Sequence, residues 1–400
     1  MPGLVYLAMR VMLFTDTLVD VNGVSRFITN LRDHATAAGR ELTVVCSTER
    51  TLAPHRAMVN LRPALSVRMP GYAELELAFP ERGGAMATAL KFRPDIIHVS
   101  TPGPVGLAGR RVAQRLGLPL AGVYHTDFNR YAQHLFADEA MTFAMKHALR
   151  WFYRPFDRII ARSSVYADEL EAAGMARARL RTLKAGVDSE RFCPSHRDEA
   201  VLKAIVGREV PGVRVLYCGR VSVEKNLDLL TKVWPQVAGA ARTHGVPATL
   251  VVVGHGPMLN DVHHALRNHD TVFLGFRSGL ELSTVYASCD FLVFPSLTDT
   301  LGQAVLEAQA SGLPALVSDR GGPRTSILNG VTGQVIPGSS HRHWHNATLA
   351  MIVDTERRRA MAAAAVAHAR ALTIERSLDH WWTLHADLLA EINPAHPPRG

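Results

Sequence analysis

The stretch SLTDTLGQAVLEAQASGLP at residues 296–314 decides the fold of this chain. The apolar run FLVF just before it, at residues 291–294, predicts a buried strand. Residues 303–311 predict a helix, which stops at the glycine and proline of residues 312–314. A buried strand that turns directly into a helix is the repeating unit of a parallel sheet covered by helices.

Two acids and a set of backbone amides meet at this strand-to-helix turn. The first-turn amides of Leu301, Gly302 and Gln303 point toward whatever lies above the strand. A helix N-terminus carries unpaired N–H groups and a partial positive charge, so it favours an anion such as a pyrophosphate. Asp299 and Glu307, two helical turns apart, are then placed to bind neutral hydroxyls on either side of it. The alternative is an ordinary loop acid followed by a capped helix.

Composition predicts two α/β domains. With 400 residues, of which 47% are hydrophobic, the chain can form two large cores. Apolar strands alternate with helical stretches along it, which predicts doubly wound parallel sheets. A polar turn precedes a fresh strand at residues 213–218, so we place the first domain at residues 1–190 and the second at residues 191–374.

Several classes of protein are disfavoured. No run of about 18 uncharged apolar residues occurs, so we expect no transmembrane helix. Residues 11–16 predict a first strand rather than the core of a signal peptide, and we therefore expect a cytoplasmic location. The cysteines are far apart and lack the spacing of metal ligands, so they are expected to be free thiols. They are Cys46, Cys193, Cys218 and Cys289.

The formal net charge of +8 predicts an anionic partner. Nucleic acid is disfavoured, because the basic residues are dispersed and no recognition motif accompanies them. Residues 141–154 predict a helix with large aromatics and with Lys146, Arg150 and Arg154 at successive turns. Such a helix can lie on an anionic membrane surface, although an aromatic stripe can equally pack in a core. The tract HRHWH at residues 341–345 has no acidic or cysteine partner nearby, which favours a solvated loop over a metal site.

Two cations follow the strand at residues 213–218. The run GRVSVEKNL at residues 219–227 places Arg220 and Lys225 near the carboxyl end of that strand and near a helix N-terminus. Two fixed cations can neutralise a diphosphate as it leaves in a transfer reaction, without a metal. Two solvated surface cations are the alternative.

Polar residues also end two strands in the first half. The strand at residues 11–14 runs into a loop with Gly23, where a missing Cβ allows backbone to approach a phosphate or sugar. The strand that begins at Leu120 ends in His125 and Asp127, and ligands of doubly wound sheets gather at such carboxyl ends. A simple turn at Gly23 and a structural histidine at His125 are the alternatives.

The chain resembles the retaining GT-B glycosyltransferases of family four. The resemblance covers nearly the whole chain and is most specific at residues 219–323, where the acid-x7-acid element of Asp299 and Glu307 and the run 219–227 lie. Further motifs similar to those of the family are NGVSR (22–26), YHTD (124–127), KAGVD (184–188), VGHGP (253–257), LGF (274–276) and GGPR (321–324). Asp299 stands where the family usually has glutamate.

The resemblance implies a fold, an activity and a location. It implies two Rossmann-like domains facing across a cleft, with a C-terminal helix at about residues 375–392 that packs back on the first domain. It implies transfer of a hexose, with retention, from a nucleoside diphosphate sugar to an acceptor hydroxyl, without a metal or another cofactor. We expect a cytoplasmic protein that can associate peripherally with the inner face of the membrane.

The resemblance also implies roles for individual residues. Arg220 and Lys225 would stabilise the leaving diphosphate, Asp299 and His125 would orient the sugar, and Glu307 would bind the ribose. The other donor-side residues implied are Gly23, Gly219, Gly254, Phe276, Arg277 and the amides of Leu301, Gly302 and Gln303. The residues implied on the acceptor side are Asn22, Asp127 and Tyr131.

The donor and the acceptor stay open at this stage. Relatives with YHTD loops are often GDP-mannose-dependent mannosyltransferases that act on a lipid or glycan, and we favour that activity. Others transfer glucose or glucuronate from UDP-sugars to diacylglycerol. A sugar epimerase or phosphorylase is disfavoured, because neither a carboxylate-rich hydrolytic site nor a cofactor lysine is found. From another class, a non-catalytic nucleotide-sugar-binding protein is the rival, and a nucleic-acid-binding protein is a distant third.

Overall fold

A computed structural model describes residues 9–19, 23–69, 72–125 and 139–393. Within them the chain forms two compact units. The second unit comprises residues 185–374, and the first comprises the described residues before and after it. The chain passes from the first unit to the second after Lys184, a few residues before the boundary that we predicted at residue 190.

The first unit is built on a parallel sheet with the strand order β3-β2-β1-β6-β7-β8-β9. Its strands are β1 (Val11–Phe14), β2 (Leu42–Ser47), β3 (Met58–Leu61), β6 (Ile96–Val99), β7 (Leu120–Tyr124), β8 (Arg158–Ala161) and β9 (Leu180–Thr182). Its helices are α1 (Gly23–Ala37), α2 (Gly84–Phe92), α3 (Pro104–Leu116), α4 (Glu139–Tyr153), α5 (Ser164–Ala172) and α13 (Ile374–Ile392). The strands β1, β6, β7 and β8 are buried along their full length, as expected for a parallel sheet with helices on both faces.

An antiparallel hairpin was not predicted from the sequence. It consists of β4 (Pro63–Met69) and β5 (Tyr72–Pro80), with Leu65 opposite Phe79 and Val67 opposite Leu77. Leu65 and Phe79 are largely exposed, so these apolar side chains of the hairpin do not form a buried face. It departs from the strand-helix alternation because β3, β4 and β5 follow one another without a helix between them.

The C-terminal helix α13 belongs to the first unit. Trp381 and Trp382 on this helix are completely buried. Arg158 of β8, also buried, donates from Nη1 to the carbonyl oxygen of Leu384 at 2.9 Å. His98 of β6 lies with its Nδ1 2.9 Å from Nε2 of His385 on the helix. Apolar burial and polar contacts together therefore hold this helix on the sheet.

The second unit has a parallel sheet with the order β12-β11-β10-β13-β14-β15. Its strands are β10 (Val213–Cys218), β11 (Ala248–Val253), β12 (Thr271–Gly275), β13 (Phe291–Phe294), β14 (Ala315–Ser318) and β15 (Gly333–Ile336). Its helices are α6 (Glu199–Val206), α7 (Leu227–Thr243), α8 (Leu259–Leu266), α9 (Gly279–Ser288), α10 (Gln303–Ala310), α11 (His341–Val353) and α12 (Thr355–Ala369). The first strand along this unit, β10, pairs with both β11 and β13, so the order reverses there. Ligands of doubly wound sheets bind at such a switch point.

One local prediction is wrong. The histidine tract at residues 341–345 is the first turn of α11 rather than a solvated loop. Ser340 caps this helix by accepting a hydrogen bond from the backbone N–H of His343, and Trp344 is fully buried. His341 and His345, four positions apart, therefore share one face of the helix, and His343 lies on a different face.

Three further properties of the described residues bear on function. No helix among them combines the length and the apolar character needed to cross a membrane. No cluster of three or more histidine, cysteine or acidic side chains in the described part has the geometry of a metal site. All four cysteines are free thiols, and Cys46 and Cys289 are buried.

Candidate active site

The candidate site lies at the switch point of the second unit. Arg220 follows β10 and Asp299 follows β13, and these strands are neighbours in the sheet. Parallel neighbours bring their carboxyl ends to one edge, which explains why residues so distant in sequence meet there. The strands at residues 213–218 and 291–294 have the bounds predicted from the sequence.

Lys225 is placed by a short 3₁₀ turn, Val223–Lys225, between β10 and α7. Asn226 ends this turn in the left-handed conformation, with φ of 57°, and its Nδ2 donates to the carbonyl oxygen of Gly338 at 3.1 Å. Lys225 Nζ donates to both carboxylate oxygens of Asp299, at 2.6 and 2.7 Å. Only 15% of the Lys225 side chain and 22% of the Asp299 side chain are exposed, so this ion pair is largely shielded from water.

Tyr217 supports the loop that carries Arg220. Its hydroxyl donates to the carbonyl oxygen of Arg220 at 2.7 Å, and its ring stacks with Phe294 at 6.4 Å between centroids. Burial, together with the negative charge of Asp299, raises the pKa of Tyr217 well above its usual value. The phenol therefore stays protonated as a hydrogen-bond donor. We did not predict this role, although a tyrosine just before Gly219 in an otherwise mostly aliphatic strand is a signal that could have indicated it.

The helix N-terminus that we predicted at this edge is that of α10. Gly302 precedes the helix with φ of 77°, and a Cβ there would lie 2.8 Å from Cγ of Pro323. Both constraints favour glycine. Gln303 starts the helix, and its Nε2 donates to the carbonyl oxygen of Gly186 at 3.1 Å. Its side chain is thus engaged with the chain itself, and what it offers a ligand is its main-chain amide.

Glu307 lies one turn into α10 and is 3% exposed. A carboxylate so deeply buried is stable only with polar partners. Its predicted partner, the ribose of the donor, remains a prediction.

The glycines of this edge serve close packing. A Cβ on Gly254 would lie 1.8 Å from the carbonyl oxygen of Gly219, which no side chain could tolerate. The backbone N–H of Gly254 donates to the carbonyl oxygen of Gly275 at 2.8 Å. The backbone N–H of Gly219 donates to the carbonyl oxygen of Val253 at 3.0 Å. These amides are therefore used within the sheet edge, and the donor-binding roles of both glycines stay predictions.

The residues predicted beside the nucleotide base follow β12. Phe276 is 54% exposed, so its ring is accessible to a ligand. Arg277 donates from Nη1 to the carbonyl oxygen of Phe276 at 3.3 Å and lies 3.6 Å from a carboxylate oxygen of Glu281. The roles of Phe276 and Arg277 beside the base stay predictions.

In the first unit, His125 directly follows β7, which ends at Tyr124. Its ring lies 5.9 Å from that of Phe27, and the guanidinium of Arg162 lies 4.5 Å over the same Phe27 ring. Burial, and then the charge of Arg162, lower the pKa of His125 well below its usual value. The imidazole is therefore neutral at physiological pH. Gly23 begins α1, and a Cβ there would meet no atom within 4 Å.

Three residues predicted on the acceptor side, Asn22, Asp127 and Tyr131, lie outside the described residues. Their roles stay predictions, as does the contact of His125 with the sugar.

Asp16 was not predicted to have a role. It follows β1, the strand at which the order of the first sheet reverses, and accepts hydrogen bonds from Thr101 Oγ1 at 2.6 Å and from the backbone N–H of Val105 at 2.7 Å. A Cβ on Gly103 would lie 2.5 Å from its carboxylate carbon. The N-terminus of α3 is therefore already occupied by a carboxylate of the chain itself, unlike a helix end kept for a ligand.

Comparisons with known proteins show similarity to glycosyltransferases. The model of Glycosyltransferase Family 4 matches residues 21–191, and that of Glycosyl transferases group 1 matches residues 212–354. The chain is 32% identical over 357 residues to a GDP-mannose-dependent alpha-mannosyltransferase of Mycobacterium tuberculosis, covering 86% of this chain and 88% of that relative. It is 27% identical to an alpha-monoglucosyldiacylglycerol synthase of Streptococcus pneumoniae, covering 77% of this chain and 70% of that relative.

Solved structures show the same architecture. Sucrose-phosphate synthase from Thermosynechococcus elongatus superposes with a TM-score of 0.76 at 19% identity, covering 96% of this chain and 100% of that chain. The predicted GT-B fold of two domains with parallel sheets is thereby confirmed. On its sequence similarity and its fold, the chain belongs to glycosyltransferase family 4.

Proposed function

We propose that this glycosyltransferase is an α-mannosyltransferase that moves mannose from GDP-mannose to a hydroxyl of a lipid or glycan, with retention of configuration. The observation that carries the proposal is the placement of Arg220 and Lys225 at the switch point of the second unit, beside the N-terminus of α10. The similarity to the mannosyltransferase of Mycobacterium tuberculosis supports GDP-mannose as the donor.

The proposed role of this site is to stabilise the leaving group of the reaction. As the bond between the sugar and the diphosphate loosens, negative charge grows on the diphosphate oxygens. Arg220 and Lys225 supply two cations there, and the first amides of α10 add a partial positive charge. Because the surroundings of Lys225 are largely shielded from water, each contact is worth more than it would be on the surface. This accounts for a transfer step without a metal ion.

A second donor remains a candidate. The similarity to the diacylglycerol glucosyl relative of Streptococcus pneumoniae favours a UDP-sugar and a diacylglycerol acceptor. Phe276, which is exposed, and Arg277, which is half-buried, contain no pattern that distinguishes guanine from uracil. A non-catalytic nucleotide-sugar-binding protein is the candidate from another class.

A screen of nucleotides and their sugars in the presence of a chelator tests the proposal. We expect GDP to raise the melting temperature of the full chain more than UDP or ADP does, and GDP-mannose to be hydrolysed slowly with EDTA present. A bound diphosphate at a hundred times its Kd stabilises a protein by about 2.7 kcal/mol. Stabilisation by UDP alone would favour the diacylglycerol alternative, and binding without turnover of any sugar would favour the non-catalytic one. Activity that requires added metal would contradict metal independence.

We propose further that the protein binds an anionic membrane surface through α4. This helix buries Phe152 and Tyr153, while Phe143 is 65% exposed and Trp151 is 57% exposed. The cations Lys146 and Arg150 of the helix, and Arg154 just after its end, are exposed as well. The helix therefore has both a core face and an outward face of aromatics and cations, so the two alternatives posed by the sequence apply to different faces. Such a face is suited to the boundary between lipid headgroups and acyl chains.

Vesicle binding tests this surface. We expect the protein to cosediment with phosphatidylglycerol vesicles and not with phosphatidylcholine vesicles. Trp151→Ser should weaken this binding about tenfold or more, because a large apolar side chain contributes about 1.5–3 kcal/mol when it is buried. Leu280→Ser, which changes a side chain of the second unit that is 66% exposed, is the matched control and should have no effect. Equal binding to both kinds of vesicle, or equal loss in both variants, would contradict the proposal.

A further inference from the structure

Asp299 forms an ion pair with Lys225, one of the two cations that we propose bind the diphosphate. Both oxygens of Asp299 are within 2.7 Å of Lys225 Nζ, so the carboxylate is directed at the ammonium group. The role implied by the family, contact with the transferred sugar, requires a carboxylate that reaches toward the sugar. The side chain of Asp299 is one methylene shorter than the usual glutamate and ends on the lysine.

The backbone of Asp299 is fixed in this place. Its carbonyl oxygen accepts a hydrogen bond from Gly322 N at 2.7 Å, and a Cβ on Gly321 would lie 2.9 Å from the same oxygen. The carbonyl carbon of the next residue, Thr300, would lie 2.4 Å from a Cβ on Gly322. The loop of residues 321–322 therefore packs directly against the backbone at Asp299, so rotation of the Asp299 side chain, and not a shift of its backbone, is the movement that would release Lys225.

A diphosphate and this carboxylate compete for one ammonium group. Lys225 has three N–H donors, and both oxygens of the carboxylate accept hydrogen bonds from this group. Two anions at one largely shielded cation repel each other, by about 1 kcal/mol in water and by several times that in a less polar environment. Binding of a diphosphate to Lys225 therefore weakens the existing ion pair.

We propose that Asp299 is a lock on the diphosphate subsite: it holds Lys225 in the empty enzyme, is displaced by the diphosphate of the donor, and closes on Lys225 again when the product leaves. Asp299 is thus a positioning residue for Lys225, and it favours release of the nucleoside diphosphate. This inference rests on the proposed function, because it assumes that a nucleoside diphosphate binds at Lys225.

Calorimetric titration of GDP into the full chain at fixed ionic strength tests the lock. Asp299→Asn removes the charge and keeps the size of the side chain, and we expect it to tighten GDP binding about threefold to tenfold. A carboxylate whose role is to contact the transferred hexose predicts no change, because GDP lacks that hexose. Asp261→Asn, the same substitution at an exposed position on α8, is the matched control and should leave the affinity unchanged.

A second titration separates the lock from simple repulsion. In a Lys225→Met background the lock has no lysine to hold, so Asp299→Asn should no longer tighten GDP binding. Repulsion between the carboxylate and the diphosphate alone would persist in that background. Unchanged or weaker GDP binding by Asp299→Asn, or a gain that persists without Lys225, would overturn the lock. Wild-type protein that binds neither GDP nor UDP would instead contradict the donor site itself, and with it the proposed function.

Discussion

Replacing Lys225 with alanine is expected to lower kcat/KM for glycosyl transfer by about two to three orders of magnitude, and Arg220→Ala by a similar factor. Both cations act where charge develops on the leaving diphosphate, and loss of one such group costs about 2.7–4 kcal/mol of transition-state stabilisation. The larger share of the loss should appear in kcat, because the charge on the leaving group is greatest in the transition state. Initial rates of sugar release from the donor measure it.

Lys232→Ala is the matched control for this prediction. Lys232 is an exposed cation on α7, seven residues after Lys225 in the sequence. Its replacement by alanine changes the net charge by the same amount as Lys225→Ala. Its removal should leave kcat/KM within a factor of about two, because exposed charges at a distance are screened by salt. Unchanged turnover in Lys225→Ala or in Arg220→Ala would overturn the assignment of the leaving-group site.

Acidification is expected to destabilise the first unit through the pair of buried histidines His98 and His385. His385 Nδ1 lies 2.7 Å from the carbonyl oxygen of Trp381, to which it can only donate, so its Nε2 accepts from Nδ1 of His98 at 2.9 Å. Both rings are neutral in this arrangement. Burial lowers the pKa of His385 to about 3 and that of His98 well below its usual value.

The sign of the effect follows from proton binding. Below a pH of about 6.5 an unfolded histidine binds a proton that the folded one does not, so acid favours the unfolded chain. The free energy of unfolding should therefore fall by up to about 1.4 kcal/mol per pH unit for each such group, from about pH 6.5 down toward pH 3. Urea unfolding curves at pH 7.5, 6.0 and 5.0, which lie above and within this range, measure how the free energy of unfolding changes with pH.

A double substitution isolates the pair. His98→Leu combined with His385→Leu replaces both partners with apolar groups, which can be nearly neutral for stability at pH 7.5. This variant should lose a clear part of the pH dependence. His264→Gln, at an exposed position on α8, should keep it. The same slope in the double variant and in the wild type would show that other groups cause the acid sensitivity.

Much of the fold could be predicted because its signals are local. The strands at residues 213–218 and 291–294 are mostly apolar, and the helix that starts at Gln303 ends at Ala310, one residue before the predicted end at Ser311. The hairpin of β4 and β5 could not be predicted in the same way. Several of its apolar residues are exposed, so its pattern is not that of a buried strand, and pairing between its strands provides the stabilisation.

The sequence predicts members of the candidate site, and it does not predict the contacts between them. Arg220, Lys225 and Asp299 were assigned from their positions after strands, and the structure brings Lys225 and Asp299 together. That they pair with each other depends on a 3₁₀ turn and on the packing of the glycines at residues 321–322 against the loop after β13, which no local pattern reveals. The support that Tyr217 gives to Arg220 depends likewise on a fold-dependent contact.

Titration of GDP into the wild-type chain and into Lys225→Ala, with EDTA present, tests most directly the central claim that the switch point of the second unit holds the donor diphosphate. We expect the wild type to bind GDP without metal, and Lys225→Ala to bind it at least about tenfold more weakly, as the loss of one charge-assisted contact predicts. Equal affinity of the two proteins would contradict the claim, because the diphosphate would then lie elsewhere.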